Sequence, residues 1–247
     1  MALPNPPRAI LLDLDDTLID GSGVISATVA MCEVFTARHP EFRLEPMRLA
    51  QANGASWERS WKDHEGQWVR GELDDLGLST IVWTRALREL GVDEPELFAA
   101  EAARDHVSAA AAATRPYDEV LSVLGELAAV DVILGVVTNG SSTAQRAKVE
   151  TLGRERFAVV VVSGEHGVAK PDQRIFEIAL AALDLPASEV VHVGDNLVSD
   201  IVGASSTGLG TVWVNRSGAS RQADAATPDA EIDTLAALPR VIGLSAA

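Results

Sequence analysis

The feature that most constrains the fold of this chain is a short apolar run that ends in a cluster of acids. Residues 9–12 read A-I-L-L, and D-L-D-D-T follows at residues 13–17. A continuous apolar run of this length is typical of a strand buried on both faces of a parallel sheet. Because open α/β sheets bind ligands at the carboxyl ends of their strands, the acids predict chemistry at that edge. The alternative is an acidic turn whose Asp side chains accept bonds from nearby backbone N–H groups.

Two of these acids, Asp13 and Asp15, are two residues apart. If the strand continues, both side chains leave the backbone on the same side. At about 4 Å and an effective dielectric of about 20, two carboxylates repel by roughly 4 kcal/mol. Either one of them is protonated or a cation sits between them.

Residues 20–114 show helical periodicity and no alternating strand pattern. They hold four of the five tryptophans: Trp57, Trp61, Trp68 and Trp83. The first three share one face of a helix predicted from residue 46 to about residue 70. We interpret this face as the core of the helical module. The alternative is an aromatic wall facing a substrate.

From residue 115 onward, short apolar runs alternate with helical segments. Strands are predicted at residues 132–137, 158–162, 189–193 and 210–214, and helices at residues 116–129, 142–152, 171–183 and 199–206. This alternation predicts an α/β fold, a Rossmann-like parallel sheet flanked by helices, with the helical module inserted after the first strand. The predicted α/β core domain comprises residues 1–19 and 115–247, and the helical domain comprises residues 20–114. A loop is expected after residue 215.

The charge and composition exclude several classes of partner. The net charge of −16 disfavours binding to nucleic acid or to anionic membranes. The first residues lack the apolar segment of a signal peptide, and no apolar run approaches 18 residues, so we expect a cytoplasmic protein. Cys32 is the single cysteine, which excludes an intrachain disulfide framework. His39 and His106 are expected at exposed helix positions, and His192 inside a strand.

Polar residues follow the other predicted strands as well. Thr138 and Asn139 end one strand, Lys170 precedes a helix, and Asp195 and Asp200 follow another strand. Clustered carboxylates favour a hard divalent cation, Mg²⁺ before Ca²⁺. A hydroxyl followed by turn N–H groups, together with a lysine, suits a phosphate. The whole set therefore indicates a site for a metal-bound phosphate.

Four of these segments closely resemble, in order and spacing, the motifs of the haloacid dehalogenase-like hydrolase superfamily. They are D-L-D-D-T-L, V-V-T-N-G, K-P-D-Q-R-I-F and V-G-D-N-L-V-S-D-I-V-G-A. The helical insertion between the first two motifs resembles the family's cap domain. The motif wording is similar to N-acylneuraminate-9-phosphatase-like and pyrimidine 5′-nucleotidase-like members. The resemblance implies a Mg²⁺-dependent phosphatase that acts on a small sugar phosphate or nucleotide.

The resemblance also implies roles for individual residues. Asp13 would be the nucleophile that forms an aspartyl-phosphate. Asp15 would protonate the leaving oxygen and then activate water, which requires a carboxyl that is first protonated. Thr138 and the Asn139 N–H would hold the transferring phosphoryl group, and Lys170 would offset the charge on Asp13 and on the phosphate.

The same resemblance assigns the metal ligands. Mg²⁺ would bind the Asp13 carboxylate, the Asp15 backbone carbonyl and Asp195, with Asp200 close by or bridged through water. Thr17 is given a supporting hydrogen bond.

Other functions remain open alternatives. A phosphomutase would use the same core and return the phosphoryl group to the substrate. A haloacid dehalogenase shares the nucleophilic Asp but lacks an acid two residues later, so Asp15 argues against it. A catalytically inert binding module would need neither a nucleophile nor an acid. A receiver domain uses Asp, Thr and Lys in a different order. The sequence assigns no oligomeric state.

Overall fold

The computed structural model describes residues 3–4, 6–221 and 226–244. The first residues, predicted to lack a signal peptide, and the loop predicted after residue 215 lie partly outside the described residues. The strands are β1 (Ala9–Leu12), β2 (Ile19–Asp20), β3 (Arg115–Pro116), β4 (Ile133–Thr138), β5 (Val159–Val162), β6 (Val190–Gly194), β7 (Gly210–Val214) and β8 (Ala230–Ile232). The helices are α1 (Val24–Arg38), α2 (Pro46–Val69), α3 (Asp75–Glu89), α4 (Pro95–Ala113), α5 (Val120–Ala128), α6 (Ser142–Thr151), α7 (Ser163–His166), α8 (Gln173–Leu183), α9 (Gly203–Thr207) and α10 (Leu238–Val241). A π-helix spans Leu197–Val202.

The chain divides into two compact units. One comprises Met1–Asp20 and Pro116–Ala247, and the other comprises Gly21–Arg115. The first contains a six-stranded parallel sheet in the order β5-β4-β1-β6-β7-β8. The second is made of helices α1 to α4. The predicted fold class, a parallel sheet flanked by helices with an all-helical insertion, is confirmed.

Strand β1 occupies the middle of the sheet because all four of its residues are apolar and fully buried. Ile10 and Leu12 pack into one core with α5, and Ala9 and Leu11 pack into a second core with α8 on the opposite face. Side chains of a strand alternate between faces, so a strand covered on both sides must be apolar throughout.

The strand order places a topological switch point at β1. Its neighbours are β4 on one side and β6 on the other, both parallel to it. From this pair the chain continues outward in opposite directions, to β5 and to β7. Ligands of open α/β sheets bind outside the carboxyl ends of the strands at such a point.

The helical unit has its own core, which the tryptophan stripe does not join. Trp83 of α3 is fully buried with Phe35, Cys32 and other apolar residues of α1, α3 and α4. Trp57, Trp61 and Trp68 of α2 instead lie outside this core, and Trp57 is 37% exposed. The buried face of α2 carries Leu49, Asn53, Ser56 and Ser60. The interpretation of the stripe as core is therefore wrong.

Three further predictions differ from the structure. His106 is buried rather than exposed, because its Nδ1 accepts a 3.1 Å hydrogen bond from the indole N–H of Trp83. Pro116 belongs to β3 instead of opening a helix, since a proline φ also fits extended backbone. The helix predicted at residues 199–206 begins earlier, as the π-helix that continues into α9. No helix in the described part of the chain is both long enough and apolar enough to cross a membrane.

Candidate active site

Three carboxylates meet at the carboxyl edge of the central strands. Asp13 follows β1, Asp195 follows β6, and Asp200 lies on the π-helix that comes next. Each offers an oxygen atom, and these atoms lie within 4.8 Å of one another. The predicted residues Asp13, Asp195 and Asp200 are thus brought together by the switch point of the sheet.

Lys170 places a buried ammonium between two of these acids. Its Nζ donates to Asp13 Oδ1 and to Asp200 Oδ1, both at 2.6 Å. Burial opposes the charged form of Lys170, but the two carboxylates together raise its pKa above the ordinary value. Burial raises the pKa of Asp13, with Asp200 adding to the effect and Lys170 opposing it. One ammonium among three carboxylates leaves an excess of negative charge.

Asp200 is the most enclosed acid of the group. Besides Lys170, its Oδ1 lies 3.1 Å from His192 Nε2, and its Oδ2 accepts from the Asn196 N–H at 2.9 Å. Burial works against ionisation, yet Lys170 and His192 hold the pKa of Asp200 below its usual range. Both of its oxygens therefore already accept hydrogen bonds. Asp200 is therefore better suited to act as a fixed negative charge beside the site than as a freely available metal ligand.

Asp195 has fewer partners. Its Oδ1 accepts a long 3.4 Å bond from the Thr17 hydroxyl, the supporting bond predicted for Thr17. Its carbonyl accepts from the Trp213 indole N–H at 2.6 Å, which fixes the backbone. Burial, together with the charge of Asp200, raises the pKa of Asp195 to about 6. Since no described residue forms an ion pair with Asp195, this carboxylate is well suited to bind a metal ion.

Asp15 does not join the carboxylate group. Its Oδ1 accepts from Lys148 Nζ at 2.6 Å, and its Oδ2 accepts from the Gln145 side-chain amide at 2.9 Å. The strand ends at Leu12, so the alternation expected to bring the Asp13 and Asp15 side chains together does not continue. The structure therefore does not bring the Asp13 and Asp15 carboxylates together in a way that would let them share a cation.

Gln145 and Lys148 of α6 are functional candidates that sequence reasoning missed. Gln145 is fully buried although it is polar. The available signal was weak: two polar residues three apart in the helix that follows the T-N-G turn, where they share a face.

Thr138 and Asn139 lie at the end of β4, as predicted. Thr138 is buried, and its hydroxyl accepts a 2.6 Å bond from Gln145. The Asn139 side chain makes two bonds to the Lys170 backbone, donating to its carbonyl at 2.9 Å and accepting from its N–H at 2.8 Å. Asn139 therefore ties the loop after β4 to the segment that carries Lys170.

A cavity of about 340 Å³ opens beside Asp195. Arg216 lies on its wall, 3.6 Å above the Tyr117 ring and 2.7 Å from Glu119. The lining residues are Asp16, Tyr117, Asp195, Trp213, Val214, Asn215, Arg216, Ser217 and Ala219. Asp195, one of the three clustered carboxylates, therefore lies on the wall of this cavity.

Comparisons with known proteins agree on the family. A model of the haloacid dehalogenase-like hydrolase family matches residues 7–208. A phosphoserine phosphatase of Thermus thermophilus is 32% identical over 246 residues, which cover 92% of this chain and 96% of that protein. The N-acylneuraminate-9-phosphatase of Mus musculus is 28% identical over 245 residues, covering 95% and 93%.

Solved structures extend this likeness to the fold. The crystal structure of a 2-haloacid dehalogenase from Pseudomonas syringae pv. Tomato superposes with a TM-score of 0.70 at 30% sequence identity. The match covers 96% of this chain and 98% of that one.

Proposed function

This chain belongs to the haloacid dehalogenase-like hydrolase family, and we propose that it is a Mg²⁺-dependent phosphatase of small phosphomonoesters that works through an aspartyl-phosphate at Asp13. It is an enzyme of the hydrolase class whose relatives include named phosphatases. The observation that carries the proposal is the group formed by Asp13, Asp195, Asp200 and the buried Lys170.

The donor set fits a magnesium ion. Three carboxylates within 4.8 Å of one another are hard oxygen ligands. Burial, together with the charge of Asp200, raises the pKa of Asp13 and of Asp195, and a bound cation would offset that penalty. Asp13 and Asp195, with the Asp15 backbone carbonyl, would hold the ion, and Asp200 would support it. When bound, Mg²⁺ supplies positive charge that neutralises the phosphoryl oxygens.

In the first half-reaction, an Asp13 oxygen attacks the phosphorus of the ester. The P–O ester bond breaks, the leaving oxygen takes a proton from Asp15, and the alcohol departs. Lys170 remains bound to Asp13 and offsets the negative charge that builds up, while the Thr138 hydroxyl and the Asn139 N–H orient the phosphoryl group.

In the second half-reaction, water attacks the phosphorus of the aspartyl-phosphate. Asp15, now a carboxylate, takes a proton from that water, and the bond between Asp13 and phosphorus breaks. Inorganic phosphate leaves and both acids return to their starting states. The net reaction is the ester plus water giving the alcohol plus phosphate.

The substrate class follows from the relatives as a proposal. Two relatives that each cover more than 90% of this chain are named for a phosphorylated amino acid and a phosphorylated sugar acid. We infer a small phosphorylated metabolite, with a sugar phosphate or nucleotide as the first candidates.

The experiment is phosphate release from a panel of phosphomonoesters, with and without Mg²⁺, by wild type and by Asp13→Asn. Turnover should require Mg²⁺ and should be lost in the variant. Product analysis distinguishes a phosphatase, which releases inorganic phosphate, from a phosphomutase, which yields an isomeric ester. No release from any ester would overturn the proposal.

A further inference from the structure

We propose that Gln145 and Lys148 are positioning residues that hold the Asp15 carboxylate and the Thr138 hydroxyl in the orientations that phosphoryl transfer requires. The inference deepens the proposed function and depends on it. It is carried by a chain of hydrogen bonds within the α/β unit that links the predicted acid and base to the predicted phosphoryl-binding hydroxyl.

The orientation of the Gln145 amide is fixed by Lys148. Lys148 Nζ lies 2.7 Å from Gln145 Oε1. An ammonium group only donates hydrogen bonds, so it must face the amide oxygen. The amide NH₂ group of Gln145 then faces the other way. Its nitrogen, Nε2, donates one hydrogen to Asp15 Oδ2 at an N···O distance of 2.9 Å and the other to Thr138 Oγ1 at 2.6 Å.

This orientation determines what the Thr138 hydroxyl can do. Because its oxygen accepts from Gln145, its own proton must be directed elsewhere. The contact with the Asn139 carbonyl is 3.5 Å, which is long for an O–H···O hydrogen bond. Gln145 therefore leaves Thr138 as a donor, the role needed to bind a phosphoryl oxygen.

The same two residues fix Asp15 from both sides. Lys148 engages one carboxylate oxygen and Gln145 engages the other. Asp15 is partly exposed, with 45% of its side chain accessible, so without these bonds it would sample several rotamers. Gln145 is fully buried, and a buried polar group is costly unless its hydrogen bonds are made. The chain of bonds is thus rigid at its centre.

The experiment uses the dependence of rate on the leaving group. An alkyl ester needs its leaving oxygen protonated, whereas p-nitrophenolate leaves without a proton. We compare kcat/KM, which reports the steps up to departure of the alcohol, for p-nitrophenyl phosphate and for the best alkyl ester of the panel. In Lys148→Met, kcat/KM should fall about 10- to 100-fold for the alkyl ester, since a misplacement of about 1 Å can cost ~10²-fold. For p-nitrophenyl phosphate the fall should be clearly smaller, because this ester needs the phosphoryl-binding hydroxyl of Thr138 but no proton from Asp15.

Two further variants separate positioning from folding. Lys148→Arg keeps a donor on both Asp15 and Gln145 and should restore most of the alkyl-ester activity. Arg146→Met removes another cation of the same helix, which pairs with Glu165 at 2.7 Å and does not contact Asp15. This control should affect the two esters equally and slightly.

Several results would overturn the inference. These are an equal loss on both esters in Lys148→Met, no loss on either, or the same selective loss in Arg146→Met. The test uses Lys148 variants because that side chain is partly exposed, so replacing it does not disturb the buried core. If the wild type is active and Lys148→Met loses activity equally on both esters, only this inference is rejected. Inactive wild type on every ester rejects the proposed function itself.

Discussion

At the scale of single residues, the acids of the site differ because their neighbours differ. Asp200 is enclosed by Lys170, His192 and a backbone N–H, whereas the Asp195 carboxylate accepts one long side-chain bond from within the described part of the chain. The pKa is therefore lowered for Asp200 and raised to about 6 for Asp195. The first is a fixed negative charge and the second is suited to binding a metal ion.

Lys170 should be essential for stability as well as for charge balance. Lys170→Met would leave Asp13 and Asp200 buried without their cation, and breaking a buried ion pair in this way costs roughly 3–5 kcal/mol. Urea unfolding measures the change. The matched control is Arg174→Met, which removes an exposed ion pair with Asp172 and should cost less than about 1 kcal/mol. Equal losses in both variants would contradict the account.

The raised pKa of Asp195 predicts how the stability of the metal-free protein depends on pH. Its pKa is about 6 in the metal-free folded protein, above the ordinary value near 3.8. The unfolded chain therefore loses this proton at lower pH than the folded protein does. Stability falls as the pH rises from about 4 to about 6, and the full penalty applies above that range.

Asp195→Asn removes this ionisable group and so tests whether ionisation of Asp195 lowers the stability of the folded protein. Without metal, the variant should be more stable than wild type at neutral pH by roughly 1–3 kcal/mol, and the advantage should vanish near pH 4. Thermal unfolding at both pH values, with chelator present, gives the comparison. A variant less stable than wild type at neutral pH would show that the Asp195 charge is not penalised.

Residues within the motifs were predictable, and their partners outside the motifs were not. Asp13, Thr138, Lys170, Asp195 and Asp200 follow from strand ends and from family resemblance. Their catalytic roles remain predictions. The bond from Gln145 to Asp15 joins residues 130 apart in sequence, and no local pattern indicates such a contact.

At the scale of elements, the turn from β6 into the π-helix determines where Asp200 lies in the site. The turn from β6 into the π-helix brings Asp200 back against Gly194. A Cβ atom on Gly194 would overlap the Asp200 carboxylate, which is fully buried and cannot move aside. Short π-helical segments are frequent at functional sites.

Gly194→Ala should therefore abolish phosphatase activity, because it displaces Asp200 from Lys170. The matched control is Gly125→Ala in α5, where a Cβ meets no atom within 4 Å. Alanine is favoured over glycine within a helix, so the control should keep full activity and gain up to about 1 kcal/mol of stability. Activity assays and urea unfolding of both variants provide the test. Full activity in Gly194→Ala would contradict the packing argument.

The elements themselves were predictable to different degrees. Strand β1 was predicted with its observed bounds because continuous apolar character leaves few alternatives for a short run. The π-helix was not predicted, because apolar periodicity distinguishes a helix from a strand but does not separate a π-helix from an α-helix. The tryptophan stripe misled because aromatic residues at helical spacing fit a core and an exposed face equally well.

At the scale of the whole molecule, the fold does not settle the reaction. The α/β unit has the fold of a haloacid dehalogenase as well as of phosphatases, and one fold can carry several chemistries. The net charge of −16 gives no long-range attraction for an anionic substrate, so binding must be local. The acid role proposed for Asp15 would favour phosphate esters over haloacids.

We therefore expect no chloride release from chloroacetate or 2-chloropropionate under conditions in which the best phosphomonoester is turned over. These substrates have no alkoxide to protonate, so the acid proposed at Asp15 gives their leaving group no assistance. A chloride assay with chelator and with Mg²⁺ covers both metal states. Chloride release at a rate comparable to phosphate release would make dehalogenation the better assignment.

If Asp13 carries the phosphoryl group during turnover, acid-quench mass spectrometry should detect that group on Asp13. The Asp15→Asn variant is mixed with p-nitrophenyl phosphate and Mg²⁺, because this ester needs no acid and the missing base slows hydrolysis of the intermediate. We predict a mass gain of one phosphoryl group on the peptide that contains Asp13. The double variant Asp13→Asn/Asp15→Asn should show no such gain. Two results would contradict this mechanism: a phosphoryl group on another residue, or phosphate release at the wild-type rate by the Asp13→Asn single variant.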